Sequence, residues 1–186
     1  MQKINFDTSG SLPARPISES YWVIPGRLLA GEYPGEFSIE VTHRRLDAFL
    51  LAGFDTMIDL TCEGEAVNYA ALLRKRAVNV NQKVRYLRFP IGDFGLPTHQ
   101  MMFDILDVID QTLAKDRKIY LHCYGGIGRT GTTVGCFLVR HGCSGSQALE
   151  QLALWWKEVP KSAQYTRSPE TSLQEQFVAN WLEQKK

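Results

Sequence analysis

Cys123 and Arg129 are separated by five residues in the stretch IYLHCYGGIGRTG (119–131), and three of those five are glycine. The stretch predicts a strand, then a turn, then a helix that begins near Arg129. Such a turn directs backbone N–H groups into one concavity, and the helix adds the positive end of its dipole. A guanidinium binds two oxygens of a phosphate bidentately, which an ammonium does not. The spacing therefore predicts an oxyanion site with a nucleophile at its base, and the same surroundings favour a thiolate at Cys123 at neutral pH.

Two other interpretations of this stretch are weaker. A lone cysteine after a strand is most often a small buried hydrophobic residue, but that does not account for the spaced glycines and the arginine. Gly126, Gly128 and Gly131 fit the G-x-G-x-x-G pattern of a dinucleotide-binding turn, which requires an acidic residue about 20 positions on, after a strand. Glu150 stands near that distance, but within SQALEQLALWW, which predicts a helix. The G-K-[ST] of a nucleoside triphosphate loop is absent.

The string HCYGGIGRTG resembles the loop of the cysteine-dependent protein phosphatases. YWVIPGRLLAGEYPG, LRFPIGDFGLPT and SPETSLQEQF are similar to segments of the small, atypical dual-specificity phosphatases, so the resemblance covers roughly residues 20–182. It implies an enzyme that works through a phosphocysteine intermediate on Cys123. The residues expected to bind the phosphoryl group are Tyr124, Gly125, Gly126, Ile127, Gly128 and Arg129.

Attack on phosphorus requires a general acid for the departing oxygen, on a loop that can close over the substrate. Asp93 lies in FPIGDFGLP between Gly92 and Gly95, after a predicted strand and 30 residues before Cys123. The resemblance places the acid at this aspartate, which would then serve as base for the second step. A turn-forming aspartate is the alternative.

The resemblance implies three supporting residues. Thr130 would donate its hydroxyl to the departing thiolate, and His122 would hold the loop through hydrogen bonds. Gln174 resembles the glutamine that orients water in related phosphatases, although Gln176 is two positions away and Glu170 stands where larger relatives carry another glutamine. A surface role for Gln174 therefore stays open.

Another predicted loop, CEGE (62–65), carries Cys62, Glu63 and Glu65. The two glutamates are expected either to contact the Cys123 loop or its arginine, or to be solvated. Cys62 is a candidate redox partner of Cys123, since a reactive thiolate beside a second thiol is the pattern of reversible oxidation.

The composition adds broad limits. With 186 residues, 44% hydrophobic and 22% charged, the chain is expected to form one catalytic domain (21–186) behind an irregular arm (1–20). The net charge of +1 predicts neither a nucleic-acid nor a membrane partner. No secretory signal, membrane span, disulfide framework or metal pattern is evident in the sequence, so a cytoplasmic monomer without cofactors is expected.

Strand and helix patterns alternate along the chain. Strands are predicted on both sides of Pro25-Gly26 and within 55–61, 83–90 and 118–122. Helices are predicted over 39–52, 65–78, 98–114 and 129–141, after the Ser144/Gln147 capping box, and from Ser168-Pro169 with Leu173, Phe177 and Trp181 on one face.

This order predicts an α/β fold with a central, mainly parallel sheet flanked by helices, as in the protein-tyrosine phosphatases. Loops 62–65, 91–97 and 123–129 would meet at the carboxyl ends of the strands. The predicted substrate is a phosphorylated protein, on phosphotyrosine and also phosphoserine or phosphothreonine, or a small phosphate ester. Inositol phosphates or phosphoinositides, a phosphate-binding scaffold, and sulfurtransfer are the alternatives.

Overall fold

The computed structural model describes residues 11–183. Its five-stranded sheet has the order β1-β2-β5-β3-β4, in which β1 pairs antiparallel with β2 and all other pairs are parallel. The strands are β1 (Ser20–Ile24), β2 (Leu28–Gly31), β3 (Thr56–Asp59), β4 (Arg85–Arg88) and β5 (Ile119–His122). The helices are α1 (Ile39–Leu51), α2 (Ala70–Asn79), α3 (His99–Leu113), α4 (Gly128–Arg140), α5 (Gly145–Trp156) and α6 (Ser172–Ala179), with a 3-10 turn at Pro160–Ala163. The predicted α/β class is confirmed.

Side chains alternate between two cores because successive residues of a strand point to opposite faces. From β5, Tyr120 packs with α1 and α2, whereas Ile119 and Leu121 pack with α3 to α6. All four residues of β5 are buried, as expected for a central parallel strand covered by helices on both faces. The strand that leads to Cys123 therefore runs through the middle of the molecule.

Helix α4 follows that strand and is itself buried from Gly128 to Leu138. Small residues allow its neighbours to approach closely. A Cβ atom at Gly135 would lie 2.6 Å from Val178 of α6, and one at Gly131 would lie 2.3 Å from the Ser168 hydroxyl. Both ends of the loop between Cys123 and Arg129 are thus held by core elements.

Several local predictions are confirmed. The β1–β2 hairpin turns at Pro25-Gly26, where Gly26 has a φ of +72°. Thr98 caps α3 by accepting from the N–H of Met101, and Ser144 and Gln147 form the capping box of α5. These signals operate within one turn of chain, which is why the sequence reveals them.

Two of the predicted helix starts are wrong. Helix α2 begins at Ala70 rather than near residue 65, because the Asn68 side chain accepts from the N–H of Ala70 and Glu65 is held in the preceding loop by Arg129. Helix α6 begins at Ser172, since Thr171 rather than Ser168 is its cap.

The buried face of α6 follows the prediction in part. Phe177 packs against the core and Trp181, just beyond the end of the helix, is 2% exposed, whereas Leu173 is 65% exposed. Gln174 and Val178 are the buried residues within the helix itself. A polar side chain on the inner face of a helix needs partners, and those of Gln174 lie around the site described below.

Of the predicted arm, residues 1–10 lie outside the described residues, as do 184–186 at the other end of the predicted catalytic domain. Residues 11–19 form neither helix nor strand. They pack against the sheet through the buried Ile17, and the carbonyl of Pro13 accepts from the indole N–H of Trp22.

Candidate active site

Three loops meet at the carboxyl ends of β3, β4 and β5, as predicted, and the guanidinium of Arg129 joins them. Its Nη1 donates to Glu65 Oε2 at 2.8 Å and to the carbonyl of Ile91 at 3.0 Å. Its Nη2 donates to Glu65 Oε1 at 2.5 Å and to Asp93 Oδ1 at 3.0 Å. Arg129 is 3% exposed, so its charge lies within the site and is fixed by two carboxylates from two other loops.

Glu65, and not Glu63, is the partner of this arginine. Burial alone would raise the pKa of Glu65, but the hydrogen bonds that it accepts from Arg129 and from the Cys62 N–H hold that pKa below its usual value. Glu63 is exposed. Glu65 therefore contacts the arginine, which was one of the two expected outcomes, and Glu63 is solvated, which was the other.

Cys123 follows β5 directly and is 2% exposed. It lies in a narrow pocket of about 20 Å³, with room for one water molecule. The pocket is also lined by Asp93, Gly128, Arg129, Glu170 and Gln174. The structure thus brings the thiol, the arginine, the aspartate and the glutamine around one small cavity.

The loop from Cys123 to Arg129, here called the cysteine loop, is bonded from its outer side. The carbonyls of Tyr124 and Ile127 accept from the Tyr33 N–H at 2.9 Å and from the Ser168 hydroxyl at 2.8 Å. Both donors lie outside the pocket, so these carbonyl dipoles point away from it. That arrangement suits an anion, which carbonyl oxygens facing the pocket would repel.

Gly126 is required in this loop. Its φ is +76°, and a Cβ atom there would lie 2.5 Å from the carbonyl carbon of Gly31 at the end of β2. Only glycine fits both the backbone conformation and this close approach.

His122 supports the backbone of Cys123. Its Nδ1 lies 3.2 Å from the carbonyl oxygen of Cys123 and its Nε2 lies 2.6 Å from the Tyr69 hydroxyl. A carbonyl only accepts, so Nδ1 carries the proton and Nε2 accepts from Tyr69. Burial lowers the pKa of His122, and the nearby Asp59 opposes this only in part. The histidine is therefore neutral and structural.

Asp59 and Tyr69, which no sequence motif predicts, extend this support. Asp59 is fully buried and accepts from Thr61 and Tyr86, and Arg88 pairs with it at 3.2 Å. The sequence does carry a signal for Asp59, which is a carboxylate inside the apolar strand DTMIDLT. A carboxylate buried in this way almost always has a charged or hydrogen-bonding partner.

The buried side chain of Gln174 contacts both the start of α6 and the cysteine loop. Its Oε1 accepts from the N–H groups of Glu170 and Thr171, which caps α6, and its Nε2 donates to the carbonyl of Gly95 at 3.2 Å. It also contacts the cysteine loop, since a Cβ atom at Gly128 would lie 2.8 Å from Oε1. Gln176 is exposed. The surface alternative for Gln174 is wrong.

Two other predicted residues have less defined positions. The Thr130 hydroxyl is buried and has no hydrogen-bond partner within residues 11–183. Its donation to the thiolate stays a prediction. Cys62 is a half-buried free thiol. Its pairing with Cys123 under oxidation stays a prediction.

Two aromatic residues stand at the mouth of the site. Phe94 is 59% exposed and borders the pocket, and Tyr124 is 52% exposed. Trp155 and Trp156 are core residues. Within the described part of the chain, no helix is long and apolar enough to cross a membrane, and no group of three acidic, histidine or cysteine residues is arranged to hold a metal ion.

Comparisons with known proteins identify the family and the fold of the chain. The profile of a family described as "Polymorphic toxin system, DSP-PTPase phosphatase" matches residues 37–143, which is more than half of the chain. The mouse protein tyrosine phosphatase domain-containing protein 1 is 27% identical over 127 residues, covering 64% of this chain and 17% of its own length. A putative tyrosine phosphatase of invertebrate iridescent virus 3 is 27% identical over 128 residues, covering 66% of this chain and 46% of its own.

The chain therefore spans less than half the length of these two relatives. Among solved structures, Tk-PTP in its active form superimposes with a TM-score of 0.66 at 25% identity, covering 86% of this chain and 92% of its own.

Proposed function

Because the chain belongs to the family of DSP-PTPase phosphatases, we propose that it hydrolyses phosphate monoesters of proteins through a phosphocysteine intermediate, without a metal ion. Phosphotyrosine is the proposed substrate, with phosphoserine and phosphothreonine as further ones. The observation that supports this most is the convergence of Cys123, Arg129 and Asp93 on one pocket.

In the first step, the Cys123 thiolate attacks phosphorus while the bond from phosphorus to the ester oxygen breaks. Asp93 gives its proton to that oxygen, so an alcohol or phenol leaves. Charge spreads over the three equatorial oxygens in the transition state. Arg129 and the N–H groups of residues 124–129 stabilise this charge, because they are already oriented before substrate arrives.

In the second step, water attacks the phosphocysteine and the bond between sulfur and phosphorus breaks. Asp93, now ionised, takes a proton from this water, which restores its acid form and releases phosphate. Gln174 orients the water and Thr130 donates a hydrogen bond to the departing thiolate. The buried position of Gln174 beside Gly128 supports the first of these roles.

The first test is hydrolysis of p-nitrophenyl phosphate in EDTA, with and without the Cys123→Ser substitution. We expect the protein to be active and the variant inactive, with vanadate binding retained. An active Cys123→Ser variant would contradict the mechanism. Inactivity of the unaltered protein with retained phosphate binding would indicate a scaffold, and turnover of thiosulfate would indicate a sulfurtransferase.

The substrate class is tested by comparing kcat/KM for phosphopeptides and inositol polyphosphates. The variable side chains of the cysteine loop, at Tyr124 and Ile127, are uncharged. Cationic side chains in the loop would be needed to bind additional phosphates. We expect phosphopeptides to be preferred, and a preference for inositol polyphosphates would favour the alternative.

The proposal also covers the domain organisation, the oligomeric state and the cellular location of the enzyme. Residues 21–186 form a single catalytic domain that acts as a monomer in the cytoplasm. The four cysteines are too few and too scattered in the sequence for a disulfide framework, which supports a reducing compartment. Size-exclusion chromatography with light scattering tests the monomer, and fractionation of the native cell tests the location.

A further inference from the structure

A second cavity lies beside the catalytic pocket, between the loop after β2 and the loop after β3. Its volume is about 320 Å³. We call it the aromatic groove, and its main lining residues are Tyr33, Phe37, Glu65, Ala66, Val67 and Tyr124. This volume is at the lower end of the range for small-molecule sites and fits one large side chain.

The rim of the aromatic groove is apolar and exposed. Phe37 is 94% exposed, Val67 is 56% exposed and Tyr124 is 52% exposed. Single exposed apolar residues are common, but three around one concavity form a patch typical of a binding site. Exposure of this kind is unfavourable in water unless a partner covers it.

The floor of the groove is held in place. Tyr33 is 4% exposed and its hydroxyl donates to the carbonyl of Val67 at 2.9 Å. Its ring stacks on Tyr124 at 6.4 Å between centroids and meets His122 edge-on at 5.2 Å. The groove is thus a preformed surface, which lowers the entropic cost of binding.

The aromatic groove adjoins the catalytic pocket through two of its lining residues. Tyr124 follows the nucleophile directly in the cysteine loop, and Glu65 holds Arg129 through both guanidinium nitrogens. A substrate whose phosphate lies against Arg129 therefore has its neighbouring groups beside the groove. Occupancy of the groove is coupled to occupancy of the pocket by covalent linkage within the substrate.

The charges of the groove exclude a second phosphate. None of its lining residues is lysine or arginine, and its two carboxylates are already paired. Glu36 pairs with Arg45 at 3.1 Å, and Glu65 pairs with Arg129. An uncharged apolar group is the occupant that these surroundings favour.

We propose that the aromatic groove binds an apolar side chain of the substrate protein, within a few residues of its phosphorylated residue. This rests on the proposed function and extends it to substrate selection. The groove accepts the side chain while the phosphate is in the pocket, so an apolar neighbour raises kcat/KM.

The test uses phosphotyrosine peptides in which one leucine is moved through the three positions on either side, in an otherwise alanine and serine background. We expect leucine at one position to raise kcat/KM by about tenfold, the size of selection typical of an apolar pocket. Phe37→Ser and Val67→Asn should remove this preference. Leu51→Ser and Val78→Asn, which change other strongly exposed apolar residues outside the groove, should retain it.

All four variants are expected to hydrolyse p-nitrophenyl phosphate like the unaltered protein, because that substrate does not reach the groove. A leucine preference that persists in Phe37→Ser and Val67→Asn, or that is absent from the unaltered protein, would overturn the inference. A lipid occupant would be indicated if Phe37→Ser and Val67→Asn lost activity on a short-chain phosphatidylinositol phosphate while their selection among phosphopeptides was unchanged. That result would also overturn the inference. A protein inactive on every phosphate ester would instead overturn the proposed function itself.

Discussion

The guanidinium of Arg129 donates a 3.0 Å hydrogen bond to the carboxylate of Asp93, from a loop 36 residues away in the chain. The same nitrogen also donates to Glu65. A phosphate that binds Arg129 must compete with these two carboxylates. Because the Asp93 side chain is 60% exposed and that of Glu65 is 20% exposed, we expect Asp93 to move aside when phosphate binds and Glu65 to stay in place. Substitutions of Asp93 and of Glu65 are therefore expected to change different steps of catalysis and binding.

Asp93→Asn is expected to lower kcat by about 10²- to 10⁴-fold on phosphotyrosine peptides, the usual contribution of a general acid. The loss should be smaller on p-nitrophenyl phosphate, whose leaving group needs little protonation. Steady-state kinetics on both substrates checks this. The exposed Asp104→Asn serves as control, and an equal loss on the two substrates would argue against the acid role.

Glu65→Gln is expected to lower kcat/KM by about tenfold to a hundredfold. It removes the charged partner that orients Arg129, and hydrogen bonds to charged groups contribute about 1.5–3 kcal/mol. The inhibition constant of vanadate should rise in parallel. Glu63→Gln, in the same loop but exposed, should change neither quantity, and equal effects of the two substitutions would refute the positional argument.

Gln174→Ala is expected to slow hydrolysis of the phosphocysteine more than its formation. Rapid-quench experiments with a ³²P-labelled substrate should show a burst and an accumulated phosphoenzyme. Gln176→Ala, two positions along the same helix, should behave like the unaltered protein. The absence of accumulation in Gln174→Ala would leave its hydrogen bonds to Glu170, Thr171 and Gly95 as its whole role.

The buried His122 should make stability depend on pH. Its pKa is lowered in the folded state by burial, so between that pKa and about 6.5 the unfolded chain binds more protons than the folded protein. The free energy of unfolding therefore rises with pH in this window and is lost as pH falls, by up to about 1.4 kcal/mol per pH unit.

Urea unfolding of the unaltered protein and of His122→Gln, between pH 5 and 7, measures this dependence. The variant lacks the titrating group and should have a smaller slope, even if it is less stable at every pH. Identical slopes would mean that folding does not change the pKa of His122.

Peroxide treatment is expected to join Cys62 to Cys123. Mass spectrometry of the digested protein should find a disulfide-linked peptide pair that dithiothreitol removes, with activity recovered. Cys62→Ser should lose the pair and become irreversibly inactivated, because the oxidised thiol then has no partner. Cys143→Ser is the matched control, and a treated protein without a 62–123 peptide would exclude this regulation.

Much of the architecture is readable from short segments. Alternating strand and helix patterns predict the α/β class, and the caps at Thr98 and Ser144 predict two helix starts correctly. Errors arise where a competing contact is distant or a stronger cap lies nearby. Glu65 belongs to a loop because Arg129 holds it there, and Thr171 replaces Ser168 as the cap because Gln174 completes its capping box.

The proposed chemistry is readable from the sequence, because Cys123 and Arg129 lie in one loop whose length and glycines determine its conformation. Which other side chains join them depends on the packing of separate elements. Glu65 rather than Glu63, Gln174 rather than Gln176, and the support of His122 by Tyr69 all result from contacts between residues that are far apart in the chain. The aromatic groove likewise exists only once the loops after β2 and β3 are placed together, so local preferences do not encode it.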